Sequence, residues 1–202
     1  MEQRDAWETF YGQNERPWRG SSDIGWISFP KGSSVLELGC GNGKTSSALI
    51  AAGYTVTGVD FSDAAVYNCK EMCPGHTFVC ADVTELPFKD DSFDGAVAFH
   101  VLEHLDDNGM TKALNEIHRV LRDKSHLFVK VFSADDMRSM KGELVGKDTV
   151  VRGNGIRYRY FTESSLKDFF TSYEVLFTRK VQEKTRFDTV RSRIEAEFVV
   201  HK

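Results

Sequence analysis

The chain has 202 residues, 41% of them hydrophobic and 28% charged, which is the composition of an ordinary globular protein and excludes a fibrous repeat or a wholly disordered segment. A net charge of −4 argues against a mainly electrostatic nucleic-acid binder. The longest apolar runs, at 95–99 and 127–129, are far too short to span a bilayer.

In chain order, residues 1–33 set Trp7, Phe10, Tyr11, Trp18 and Trp26 among polar side chains without a strand signal. Aromatics this dense are expected to pack a leading helix onto the body of the protein or to form a lid over a cleft. From residue 34 short β-branched runs alternate with helical periodicity, the pattern of a parallel sheet covered by helices. The expected strands are 34–38, 55–60, 77–80, 95–99 and 127–132, with helices over 44–52, 64–73 and 111–121 between them. Gly53 stops the first of these helices. Residues 134–160 are polar and weakly patterned and read as a long loop. Thr162 then caps a helix over 164–170, and runs at 173–178 and 194–200 are expected to close the sheet as an antiparallel hairpin. One domain is the simplest division, with a helical lid at 1–33, a core at 34–132 and an excursion plus closing strands at 133–202.

The opening Met-Glu-Gln-Arg-Asp lacks the basic-then-apolar pattern of a signal peptide, so a cytoplasmic location is expected. Cys40, Cys69, Cys73 and Cys80 are then expected as free thiols. Cys69, Cys73 and His76 raise the question of a metal, but no matching second pair exists and no metal is expected.

The chemistry gathers around the segment Val-Leu-Glu-Leu-Gly-Cys-Gly-Asn-Gly at 35–43. Gly39, Gly41 and Gly43 follow an apolar strand and precede a helix, so the backbone can approach a ligand and the helix offers free N–H donors. Asp60 ends the next strand, where a carboxylate can accept the ribose hydroxyls of an adenosyl group. A nicotinamide cofactor would use the same acid, but dinucleotide loops place a glycine where this chain has Lys44. Glu37 beside the loop would repel a pyrophosphate and suits a sulfonium or an ammonium group. These features favour S-adenosylmethionine over NAD.

The segment 35–131 resembles the class I, Rossmann-like S-adenosylmethionine-dependent methyltransferases. The resemblance lies in Glu37-Leu-Gly-Cys-Gly-Asn-Gly43, Val59-Asp60-Phe61-Ser62, Ala81-Asp82-Val83, Ser92-Phe93-Asp94, Val101-Leu102-Glu103-His104-Leu105 and Glu116-Ile-His-Arg-Val-Leu121. It implies a doubly wound, mostly parallel seven-stranded α/β sheet with an antiparallel C-terminal hairpin. It also implies S-adenosylmethionine as cofactor and S-adenosylhomocysteine as product. Gly39 and Gly41 would line the methionine moiety, Asp60 would bind the ribose and Phe61 would flank the adenine. Asp82 would accept the adenine amino group, the Val83 N–H would face the ring, and His100 would lie near the methionine end. The opening with Trp7, Tyr11 and Trp18 is similar to the lid of small-molecule methyltransferases. Tyr11 and Trp18 are accordingly expected at the cofactor and a small molecule is expected as acceptor, the alternatives being methylation of a macromolecule or a non-catalytic S-adenosylmethionine-binding regulator. One departure is Asp123-Lys124-Ser125, where family members often carry Pro-Gly-Gly.

Methyl transfer needs a base only for a protonated acceptor, and histidine titrates in the right range. His100 is the expected catalytic residue; His104 is expected in a solvent-facing or capping role. Arg152, Arg157 and Arg159 interleave with Tyr158 and Tyr160 and read either as a solvated basic face or as a clamp on an anionic or aromatic acceptor.

Overall fold

The computed structural model describes residues 3–14, 17, 20–139 and 141–202. The expected Trp18 lies outside these residues. Among the described residues no helix is long and apolar enough to cross a membrane.

The core is a seven-stranded sheet in the order β3-β2-β1-β4-β5-β10-β9. Its strands are β1 (Ser34–Leu38), β2 (Thr55–Asp60), β3 (Thr77–Cys80), β4 (Phe93–Phe99), β5 (Leu121–Phe132), β9 (Tyr173–Lys184) and β10 (Val190–Val200). The first five run parallel, β10 is antiparallel to β5, and β9 is antiparallel to β10. This is the Rossmann-like architecture expected from the sequence.

Alternation decides which side chain faces which layer. Leu36, Leu38, Ala96, Ala98, Val129 and Val131 point to one face, where α4 (Asp107–Val120) and α5 (Glu163–Lys167) cover them. Val35, Val97, Phe99 and Phe128 point to the other, against Leu49 of α2 (Lys44–Ala51) and the segment carrying Ile27 and Phe29. Gly95 in β4 is required by this packing, because a Cβ there would lie 2.1 Å from the Phe29 ring. The third covering helix, α3 (Asp63–Met72), starts on Ser62, whose hydroxyl accepts the Ala65 N–H, and buries Cys69 against Cys40 and Phe78. All four cysteines are free thiols.

Three expectations are corrected. Residues 134–160 are not a structureless loop: they hold a separate antiparallel sheet of β6 (Glu143–Gly146), β7 (Thr149–Val151) and β8 (Arg157–Arg159). Its strands are too short and polar to show a period, and Val150, Tyr158 and Tyr160 bury it against Trp7 and Tyr11. The segment 1–33, expected as a helical lid, forms among its described residues the helix α1 (Gln3–Gln13), while those from 20 to 33 are not helical. The elements near the chain's second half also shift: α4 starts at Asp107 on its Asp106 cap, and α5 ends at Lys167. The departure at Asp123-Lys124-Ser125 forms an irregular start to β5, with Lys124 at φ 60° in the conformation a glycine would adopt without strain.

Candidate functional site

The strand order reverses between β1 and β4, so the loops leaving their C-terminal ends diverge and open a crevice between them. Two adjoining cavities of about 370 and about 510 Å³ fill it. The first is lined by Tyr11, Gly39, Asp60, Phe61, Asp82, Val83 and His100, and the second by Tyr11, Glu37, Gly39, Gly41 and His100 among others. All the sequence-predicted site residues that are described therefore converge on one crevice.

The loop after β1 needs its glycines. Gly39 has φ 70° and a Cβ there would lie 2.8 Å from the Val101 side chain; Gly41 has φ 52° and its Cβ would lie 2.6 Å from the Tyr11 hydroxyl. Asp60 holds the loop from the neighbouring strand, its Oδ2 accepting the Gly41 N–H at 3.0 Å and its Oδ1 the Ser62 N–H at 3.1 Å. Burial raises its carboxyl to about 6 against these hydrogen bonds. Glu37, 2% exposed, accepts a hydrogen bond from the Ser46 hydroxyl, and burial raises its carboxyl to about 8. A buried acid with one hydroxyl partner, facing a cavity, is matched to a cationic ligand group. At the far end Asp82 spends one oxygen on Thr84, through its N–H at 2.8 Å and hydroxyl at 2.7 Å.

The loop after β4 carries two histidines. His100 has φ 57°, stacks on Phe132 with ring centroids 4.5 Å apart and donates from Nδ1 to Oε1 of Glu103 at 2.8 Å. Glu103 is fully buried and its Oε2 has no partner among the described residues. The arrangement leaves His100 Nε2 as the ring's acceptor nitrogen. His104 is not the solvent-facing group expected. Its ring lies edge-on between Trp7 and Tyr158, with centroids 4.8 and 4.9 Å away, and Nδ1 donates to the Arg157 carbonyl at 2.6 Å. Desolvation pushes His104 below the usual histidine range, so it is neutral near pH 7. The i, i+3 spacing of His100 and Glu103 was legible as one turn, but which face of that turn met the crevice was not.

The arginine cluster divides. Arg159 pairs with Asp107 at 2.5 Å and Arg157 lies 3.8 Å from Asp106, tying β8 to the start of α4. Arg152 alone of the three lines the larger cavity, 3.8 Å above the Tyr158 ring, with Nη2 donating to the Tyr160 hydroxyl at 2.5 Å. Among the described residues no three His, Cys, Asp or Glu side chains form a group that could hold a metal.

Residues 36–129 match the family model described as a methyltransferase domain. A tRNA N(3)-cytidine methyltransferase of Danio rerio is 33% identical over 153 residues, 68% of this chain and 43% of that protein. A demethylmenaquinone methyltransferase of Clavibacter sepedonicus is 30% identical over 165 residues, 75% of this chain and 65% of that protein. The chain thus spans 43% and 65% of these relatives' lengths. A S-adenosylmethionine-dependent methyltransferase structure from Methanosarcina mazei superposes with a TM-score of 0.78 at 22% identity, covering 91% of this chain and 99% of that one, and so shares its fold.

Proposed function

Since the chain belongs to the class I S-adenosylmethionine-dependent methyltransferases, we propose that it transfers a methyl group from that cofactor to a small-molecule acceptor bound in the larger cavity. The observation that carries this reading is the convergence of Glu37, the Gly39–Gly41 backbone, Asp60 and His100 on two adjoining cavities, the larger of which runs on from Glu37 and Gly41 past His100 to Arg152 and Arg191.

The residues fit the cofactor. Tyr11 stands where a Cβ on Gly41 would go, so the loop leaves only a backbone-width gap there. Glu37 would hold the ammonium or sulfonium charge, Gly39 and Gly41 the methionine, Asp60 the ribose, and Phe61, Asp82 and Val83 the adenine. When bound, S-adenosylmethionine supplies an electrophilic methyl carbon whose bond to sulfur breaks, the electron pair leaving with S-adenosylhomocysteine. His100 Nε2 takes the proton that a hydroxyl or amine acceptor sheds as its lone pair attacks. Glu103 is a positioning residue, fixing the tautomer and the ring plane. His104, Trp7 and Tyr158 exclude water from the reacting region, which sharpens its electrostatics.

The test is thermal denaturation with S-adenosylhomocysteine. A ligand at a hundredfold its dissociation constant stabilises by about 2.7 kcal/mol. The wild-type chain is expected to show that upward shift and Asp60→Ala to lose it. No shift in the wild type, or an equal shift from NADH, would defeat the assignment.

A further inference from the structure

The larger cavity carries a charge imbalance that the cofactor does not use. Six cations and four carboxyl groups reach it. Arg138 is bound to Asp136 at 2.8 Å, and Arg193 reaches Glu195 at 3.2 Å and Glu183 at 3.5 Å. Lys130 lies 3.5 Å from the same Glu195. Lys44, Arg152 and Arg191 have no ion-pair partner among the described residues. Of the three, Arg152 is the informative one. It is half-buried, its Nε is buried without a hydrogen-bond partner, and its guanidinium is clamped in one orientation by Tyr158 below and the Tyr160 hydroxyl at its edge. Tyr160 is itself fixed, donating to the Arg138 carbonyl at 3.0 Å. A held, partly desolvated guanidinium without a counter-ion is costly unless a ligand anion completes it. Its planar fork matches a carboxylate or a phosphate.

The competing anion is the carboxylate of the cofactor's own methionine, and topology separates the two. Lys44 follows the glycine loop directly and belongs to that end. Arg191 lies on β10, three strands along the sheet from β1, and adjacent strands are about 4.8 Å apart, so the offset is roughly 14 Å. Arg152 shares that side: Phe161, next to its partner Tyr160, hydrogen-bonds the end of β5 through the Phe132 carbonyl at 2.9 Å. His100, at the end of β4, stands between the loop and these arginines.

We propose that the methyl acceptor is a small anionic molecule whose carboxylate or phosphate group pairs with Arg152 and Arg191 while a different atom of it, at His100, receives the methyl group. The proposal rests on the methyltransferase reading above. The anion is a positioning handle and not the nucleophile, so the product keeps its charge. The larger cavity, about 510 Å³ in all, also holds the methionine end at Glu37, Gly39, Gly41 and Lys44, so the part left at Arg152 and Arg191 suits a small molecule, and the overall charge of −4 disfavours a polynucleotide.

The experiment incubates the wild-type chain with methyl-tritiated S-adenosylmethionine and, separately, the ultrafiltered small-molecule fraction of a lysate, total tRNA and total protein. Small molecules are resolved by anion exchange at neutral pH, before and after phosphatase treatment, which distinguishes a phosphate handle from a carboxylate. Label retained on the exchanger is expected. Arg152→Gln and Arg191→Gln are each expected to raise the apparent KM for that fraction about ten- to hundredfold, the worth of one charge-assisted pair. Their affinity for S-adenosylhomocysteine, measured by calorimetry, should stay within about twofold of wild type, as for independent sites. Enzyme-dependent label in a neutral or cationic product separated from residual S-adenosylmethionine, in tRNA or in protein overturns the proposal, as do unchanged KM values. Variants that lose S-adenosylhomocysteine affinity overturn it too, by assigning the arginines to the methionine carboxylate. Failure of the wild type to bind S-adenosylhomocysteine would instead defeat the methyltransferase reading itself.

Discussion

Glu37→Gln is the substitution whose consequences the structure defines most fully. Below pH 4.5 both the folded and the unfolded chain keep the Glu37 proton, and the residue costs nothing. Between 4.5 and about 8 the unfolded chain releases the proton while the folded one, desolvating the carboxyl, retains it. Stability therefore falls by about 1.4 kcal/mol for each unit across that window, about 3 kcal/mol by pH 7, and levels off above the folded value. Glutamine keeps the shape and can still accept from the Ser46 hydroxyl, but it carries no charge to desolvate. Without ligand the variant is expected to melt roughly 6–12 °C above wild type at pH 7, taking about 2–4 °C per kcal/mol for a chain of this size, and by more at pH 8. At pH 4.5 the two should nearly coincide. With S-adenosylhomocysteine the order at pH 8 should narrow or invert, since the ligand's ammonium compensates a carboxylate and has no partner in an amide. Thermal scans by circular dichroism across pH 4.5–8.5 read all of this. A melting difference independent of pH would refute the reasoning.

Gly41→Ala forces a left-handed φ of 52° on alanine and drives its Cβ into the Tyr11 hydroxyl at 2.6 Å; affinity for S-adenosylhomocysteine should drop at least tenfold, partly restored by Tyr11→Phe, as calorimetry would report. Gly95→Ala overpacks the contact with Phe29 and should cost about 1–3 kcal/mol in urea unfolding, less when combined with Phe29→Leu. Lys124→Gly relieves an exposed positive-φ residue far from the crevice and should stabilise by about 1 kcal/mol without changing ligand affinity. Glu103→Gln should leave S-adenosylhomocysteine binding intact and lower kcat while KM changes little, because the His100 ring loses the carboxylate that fixes its tautomer and plane. An unchanged kcat would remove Glu103 from the positioning of the base.

The cofactor half of the crevice was legible because its geometry is local. Gly39 and Gly41 sit where a strand turns into a helix, and Asp60 ends the neighbouring strand, so spacing alone brings them together. The acceptor half was not, because it is assembled from sequence-distant parts. Val150 and Tyr158 read as isolated apolar residues in a polar stretch until β7 and β8 pair and turn both onto α1. Arg152, Arg157 and Arg159 look equivalent in the sequence, and only the carboxylates of Asp106 and Asp107, roughly fifty residues upstream, separate the pair that ties β8 to α4 from Arg152, which alone of the three lines the larger cavity. His104 misled for the same reason: a helical context says nothing of a ring packed between Trp7 and Tyr158.

Those contacts also join the two halves. The Arg157 carbonyl accepts the His104 N–H, and the Arg157 and Arg159 side chains reach Asp106 and Asp107, so β8 is fastened to the same turn that presents His100. Tyr158 on β8 touches His104 on one side and carries Arg152 on the other. An acceptor anion that orders Arg152 therefore acts on a strand already bonded to the base-bearing turn. Displacing β8, by removing Asp107 for example, should disturb the base and the anion handle together, whereas changing Arg152 alone should disturb only the handle. A kcat loss in Asp107→Ala that Arg152→Gln does not share would separate the two roles, because only the first loosens the turn on which His100 stands.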